Sequence, residues 1–181
     1  MEPRAVILVE GASDRIAVET LAGRRGRDLA AEGVSVVPIG GAQAIGRFLR
    51  RFDGVKVAGL VDAGEERDFK RALERSGLGS ELTRAGMEAL GFYVCEADLE
   101  DELIRALGPG RVEELVAEHG DLRPLRTLQK QVAWDGRPLD QQLRRFMGSG
   151  GRRKIRYARY LVEALDLDNV PRPLDRVLAS V

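Results

Sequence analysis

Five consecutive apolar residues, Ala5-Val6-Ile7-Leu8-Val9, run without a polar break into Glu10-Gly11-Ala12-Ser13-Asp14. A short β-branched run with no polar alternation is a strand buried on both faces, the environment of a parallel sheet covered by helices on each side. The residues after it form a turn with helix-starting chemistry, Ser13 or Asp14 serving as the cap. A strand, a turn and a helix start within fifteen residues commit the chain to an α/β architecture.

The rest of the first half repeats the pattern. The first helix is expected over about 15–30, interrupted near Gly23 and Gly26. A second apolar run covers Val34 to Ile39 and closes on Gly40-Gly41, and a second helix covers Ala42 to Phe52. A third strand runs from Val55 to Val61 and ends at Asp62, and a third helix from Glu65 to Ser76. Phe92-Tyr93-Val94-Cys95 is a fourth strand, followed by the acidic segment Glu96 to Glu102. Strands alternating with helices imply right-handed crossovers and a mainly parallel sheet. Beyond Leu103 no strand signal remains. Segments 111–118, 138–147 and 156–165 look helical, and Gly108-Pro109-Gly110 marks a turn. The expected organisation is an α/β domain over 1–105 and a helical C-terminal extension over 106–181.

With 181 residues the chain is long enough to bury a core without cross-links. A single cysteine, Cys95, excludes an internal disulfide framework, and a single histidine, His119, excludes sites that need two imidazoles. Basic and acidic residues balance at 29 each, so bulk charge points to neither nucleic acid nor membrane. No apolar run is long enough to span a bilayer, and the N-terminus does not read as a signal peptide. The expectation is a soluble cytoplasmic protein with no membrane partner. Cys95 reads as an inert buried thiol, His119 as a helix-end residue and Trp134 as a core anchor.

In an open α/β sheet, ligands bind beyond the carboxyl ends of the strands. Here the first strand ends at Glu10, the third at Asp62 with Glu65 and Glu66 beyond, and the fourth at Glu96, Asp98, Glu100, Asp101 and Glu102. Crowded carboxylates repel one another and raise each other's pKa, a conflict that a divalent cation removes. Oxygen donors without paired imidazoles or thiolates select a hard ion, Mg²⁺ or Mn²⁺, which acts on phosphoryl oxygens. For any single acid, capping of the following helix is the simpler explanation. For the three clusters together, the metal reading is the stronger one.

Two other signals bear on ligands. Gly41 and Gly46 have the spacing of a phosphate-binding loop, but Arg47 and Phe48 stand where such a loop needs Lys and Ser or Thr. No nucleotide cofactor is therefore expected in this chain. From Gln141 to Val162 there is no acid, and Arg152, Arg153, Lys154 and Arg156 follow the glycine-rich turn Gly148-Ser149-Gly150-Gly151. A basic strip on a flexible turn suits contact with nucleic-acid phosphates. Tyr157 and Tyr160, within the strip, are read as packing inward.

These residues resemble a known family. Val6-Ile7-Leu8-Val9-Glu10-Gly11-Ala12-Ser13-Asp14 is similar to the first motif of the Toprim fold, in the version carried by the OLD (overcoming lysogenization defect) nucleases. Val36-Val37-Pro38-Ile39-Gly40-Gly41 resembles that family's second strand and glycine turn, and Gly59-Leu60-Val61-Asp62 its strand with an Asp-x-Asp motif. Ala97-Asp98-Leu99-Glu100-Asp101-Glu102-Leu103 resembles its later acidic segment. The resemblance covers residues 4–105, and Arg153-Lys154 falls near where the family places an active-site basic residue.

The resemblance implies a Toprim-like parallel sheet and metal-dependent chemistry at DNA phosphodiesters, a Mg²⁺- or Mn²⁺-dependent endonuclease or nickase using two ions. It makes Glu10 the general acid/base or a metal ligand, Asp14, Asp62 and Glu100 metal ligands, and Lys154 the stabiliser of transition-state charge. Two departures stand out. The Asp-x-Asp motif reads Asp62-Ala63-Gly64, and Glu65 is the candidate replacement for the missing acid. No ABC-type ATPase precedes the domain, so the chain is expected either to stand alone or to work with a separate ATPase or another protein of a nuclease system. The alternative is a non-catalytic DNA- or protein-binding module with a decayed metal site. A primase- or topoisomerase-like activity is disfavoured by the lack of a zinc module or a nucleophile-bearing domain. The sequence sets neither the oligomeric state nor the preferred nucleic acid.

Overall fold

The computed structural model describes residues 2–181. Four strands, β1 (Ala5–Val9), β2 (Val34–Pro38), β3 (Lys56–Val61) and β4 (Phe92–Val94), form one sheet in the order β2-β1-β3-β4. Every neighbouring pair is parallel, with Ala5 opposite Val34 and Lys56, and Gly59 opposite Phe92. β1 is central, and all five of its residues are buried. That is why its sequence carries no polar alternation.

Side chains of a strand alternate between faces, and β1 divides the core accordingly. Ala5, Ile7 and Val9 join a cluster with α1 (Ala12–Arg24), α5 (Leu99–Leu107) and the helices that follow it. Those are α6 (Pro109–Glu118), α7 (Leu122–Gln129), α8 (Leu139–Gly148), α9 (Gly151–Ala164) and α10 (Arg172–Ala179). Val6 and Leu8 face the other way, into a cluster with α2 (Ile45–Arg51), α3 (Glu66–Arg75) and α4 (Arg84–Ala89). The first cluster runs from Ala5 to Leu178, so the C-terminal helices share the core of the sheet. Residue 105 lies inside α5.

Local structure differs from expectation in several places. The first helix ends at Arg24 rather than near residue 30, because Gly26 takes a left-handed φ of 71°. The second begins as a single 3₁₀ turn, Ala42–Ala44, before α2. Neither Ser13 nor Asp14 caps α1: Gly11 is the N-cap, and Asp14 sits in the first turn, where its Oδ2 accepts the Gly11 N–H at 2.8 Å. Among the described residues four helices, α4, α5, α7 and α10, have no counterpart in the expected set. They are only six to nine residues long and owe their order to packing rather than to propensity. Arg152, Arg153 and Lys154 lie in the first turn of α9, not on a flexible loop.

Candidate metal and phosphate site

The parallel sheet brings the ends of β1 and β3 side by side, so Glu10 and Asp62 leave the sheet at one edge. Two backbone bonds extend the ladder past the strands. The Cys95 N–H donates to Val61 O at 2.8 Å and the Ala63 N–H to Ala97 O at 2.9 Å. They pin Asp62 against the segment that leads into α5. On the other side the Gly40 N–H donates to Glu10 O at 3.0 Å, which ties the glycine turn after β2 to the same edge.

The charges at this edge sense one another. Asp62 is pushed up to about 9, first by burial, then by a hydrogen bond shared with Glu10, then by the charges of Asp14, Glu10 and Asp98. Asp14 is buried and raised, chiefly by desolvation, while Gly11 and Lys154 pull it back. Glu65 is raised by burial and by the charges of Glu10, Asp14 and Asp68, and partly relieved by the Ala42 N–H, which donates to its Oε1 at 3.0 Å. Its other oxygen, Oε2, is buried with no hydrogen-bond partner among the described residues. Glu100, also buried, is raised to about 7, mainly by desolvation, with Lys154 opposing and Asp98 and Asp14 adding to the rise.

One cation faces the cluster from α9. Lys154 Nζ lies 3.4 Å from Glu100 Oε1, and the negative charges of Glu100, Asp14 and Glu10 raise its pKa against the desolvation that lowers it. A second reaches the rim from α8. Arg144 Nε donates to Asp98 Oδ2 at 2.8 Å, while Asp98 Oδ1 caps α5 by accepting the Asp101 N–H at 2.9 Å. The candidates Glu10, Asp14, Asp62, Glu65, Glu100 and Lys154 thus form one electrostatically connected group, although they come from both faces of the sheet. Arg144 and Asp98 complete its rim; the sequence names Asp98 within the acidic segment but singles out neither as a site residue. The acid-free stretch around Arg144 was the available signal, but nothing in the sequence pairs it with Asp98.

The remaining basic candidates are placed differently. Arg153 stacks its guanidinium 4.2 Å from the centroid of the Phe146 ring, and its Nη1 donates to Ser149 Oγ at 2.8 Å. Arg156 reaches Asp121 at 3.2 Å. Arg152 alone is exposed without an ion pair among the described residues. Tyr157 is buried, with its hydroxyl donating to Asp121 at 3.0 Å, and Tyr160 stacks on His119 with ring centroids 3.5 Å apart. Cys95 is buried, and desolvation with nearby carboxylates pushes its thiol far up. Trp134 packs at the edge of the core beneath Arg137 and Arg145.

The donor chemistry fits a hard divalent cation, since every candidate ligand is a carboxylate and one buried carboxylate oxygen lacks a partner. Among the described residues, no three such side chains stand arranged to hold an ion as they are placed. Among the described residues no helix is long and apolar enough to cross a membrane.

Comparison with known proteins agrees with the motifs. Residues 3–63 match the family model of the TOPRIM domain of overcoming lysogenization defect protein-like (OLD-like) chains. The match contains Glu10, Asp14 and Asp62, while Glu65, Glu100 and Lys154 lie beyond it. No curated protein matches the chain. Among solved structures, the chain is similar to the C-terminal region of the Xanthomonas campestris pv. campestris OLD protein, with a TM-score of 0.76 and 24% identity over 99% of this chain and 92% of that one. It is likewise similar to the C-terminal region of the Burkholderia pseudomallei OLD protein, with a TM-score of 0.74 and 18% identity over 99% of this chain and 97% of that one. The fold is that of these regions: a parallel Toprim sheet followed by a helical segment.

Proposed function

We propose that this OLD-type Toprim chain is a cytoplasmic, divalent-metal-dependent nuclease that cuts or nicks DNA phosphodiesters. The observation that carries the reading is the connected group at the sheet's carboxyl edge: Glu10, Asp14, Asp62, Glu65 and Glu100 with Lys154 beside them. Glu10, Asp14, Asp62, Glu65 and Glu100 would hold Mg²⁺ or Mn²⁺, two ions in the full site. Bound there, the ions would neutralise phosphoryl oxygens and supply an activated water.

The chain's own groups have separate tasks. Asp62, raised to about 9 by burial and by its carboxylate neighbours, keeps a proton that must leave before it can act as a ligand. Glu10 would accept or return a proton at the scissile oxygen. Lys154, a third exposed, offers its ammonium to charge that develops on the phosphate. Arg152 extends the positive rim for the flanking backbone, with Arg153 and Arg156 able to join only by leaving Phe146 and Asp121.

The test is plasmid nicking in Mn²⁺ or Mg²⁺ with Glu10→Gln and Asp62→Asn beside the wild type. Both variants should lose at least about a hundredfold in rate, the size of effect expected for a positioned acid/base group. Wild-type cleavage by both would sink the proposal. The second reading, a binding module with a decayed site, rests on Gly64 in place of the second acid. A wild-type protein with no thermal response to millimolar Mn²⁺ and no nicking would favour it.

A further inference from the structure

The sheet face opposite the C-terminal helices carries a groove of about 890 Å³ between α2 and α3. Arg47 and Arg50 line it from α2, and Arg71 and Arg75 from α3. α2 contains no acid. The acids of α3 are engaged elsewhere. Glu66 pairs with Lys70 and Arg84, Asp68 accepts from Gln43 Nε2 at 3.0 Å, and Glu74 accepts the Leu82 N–H at 2.8 Å. None of the four guanidiniums therefore has an ion pair or a side-chain hydrogen bond among the described residues. What sets these four apart is that two adjacent helices turn them into one groove. Asp53 and Asp68 are the groove's only acids, and Asp68 is already occupied.

Like charges gathered on one concave surface raise the local anion concentration and favour a polyanion. The floor of the groove is apolar, with Phe52, Val55, Val57 and Leu90 partly exposed and Leu78 41% exposed. Ala42 and Gln43 are part of its lining, and the Ala42 N–H donates to Glu65 Oε1 at 3.0 Å. The groove thus shares a wall residue with the carboxylate cluster.

We propose that the α2–α3 groove binds a single strand of nucleic acid, with its four arginines on phosphates and its apolar floor against bases. A duplex keeps its bases stacked inside and presents phosphates alone, which would leave the floor uncovered. A single strand presents both. That the strand then continues to the carboxylates rests on the nuclease reading; binding in the groove does not.

The experiment measures binding of a fluorescein-labelled oligothymidylate of about 15 nucleotides by anisotropy, in EDTA, over a range of salt. The Arg50→Ala, Arg75→Ala double variant should bind about tenfold or more weakly. The slope of log affinity against log salt should shrink by roughly 1.4, two phosphates at about 0.7 each. The Arg50→Lys, Arg75→Lys variant keeps both charges and should keep the slope. All four side chains are exposed, and circular dichroism of each variant confirms that the fold is retained. Wild-type affinity and slope in the double-alanine variant would overturn the proposal. So would a matched duplex that binds as tightly and loses as much. Because no cleavage is read, the two hypotheses fail separately. Nicking that is lost in Glu10→Gln but untouched in a double-alanine variant of unchanged binding leaves the nuclease reading standing and removes the groove. The reverse pattern, no nicking by wild type but weakened binding in the double variant, does the opposite.

Discussion

Lys154 Nζ lies 3.4 Å from Glu100 Oε1, joining the first turn of α9 to the first turn of α5 across the edge of the sheet. Glu100 is buried and would otherwise have its charge stranded there. Lys154→Met should lower stability by about 1–2 kcal/mol, less than a fully buried pair because the lysine is a third exposed. Adding Glu100→Gln should recover most of that loss, whereas a pair that contributes only packing would give additive losses. Urea denaturation of the four corners of the cycle measures it.

Stability without metal should fall as pH rises. Asp62 is held at about 9 and Glu100 at about 7, both above their unfolded values of 3.8 and 4.5. The folded protein therefore binds more protons than the unfolded chain between about pH 4 and 9, and the slope of stability with pH is negative there. Asp62→Asn removes the larger contribution. At pH 9 in EDTA it should melt a few degrees above the wild type, about 2–4 °C for each kcal/mol recovered. At pH 4 the two should coincide. A thermal scan across that range decides, and equal melting curves at pH 9 would show that Asp62 ionises without cost.

The same proton makes metal binding pH-dependent with the opposite sign. Carboxylate ligands must be deprotonated, so the stabilisation by Mn²⁺ should grow from pH 6 to pH 9. At a hundred times its dissociation constant the ion should add about 2.7 kcal/mol to the wild type. Glu65→Gln should weaken the response by about tenfold, because Glu65 brings the buried oxygen that lacks a partner. A response that stays the same in Glu65→Gln would remove Glu65 from the ligand set.

Gly64 is open to restoring the missing acid. It is exposed, nothing lies within 4 Å of a Cβ built on it, and its φ is not in the left-handed region. Gly64→Asp should therefore fold normally and bind Mn²⁺ about tenfold more tightly, about 1.4 kcal/mol. Titration calorimetry reads this directly. A variant that binds no better would mean that position 64 does not face the cluster.

Gly59 is the opposite case. A Cβ there would come within 2.5 Å of Phe92 Cδ1 and 2.8 Å of its Cε1, in a ring that is buried against Phe69. Gly59→Ala should cost about 1–3 kcal/mol as an overpacked core, measured as a lowered denaturation midpoint. Unchanged stability would show that the β3–β4 junction has slack.

Much of this was legible in the sequence because it depends on local rules. A strand buried on both faces must be apolar throughout, so β1 was visible from five residues. The position of Glu10 and Asp62 at the strand ends was legible too, because each directly follows an apolar run. The helices α4, α5, α7 and α10 escaped because six to nine residues hold a helix only when packing pays the nucleation cost. The role of Asp14 was misplaced because a carboxylate one turn into a helix can bond backward to the cap as well as serve as the cap.

What the sequence determined by itself was the alternation of strands and helices, the parallel sheet and the edge to which its acids belong. Those follow from periodicity and chain direction. Only the tertiary structure decided which charges meet: Lys154 beside Glu100, Arg144 on Asp98, Arg153 turned back onto Phe146, and four arginines left unpaired between α2 and α3. Such pairings depend on where separate helices dock and on which acids other partners have already taken. No rule about neighbours in the chain contains that information.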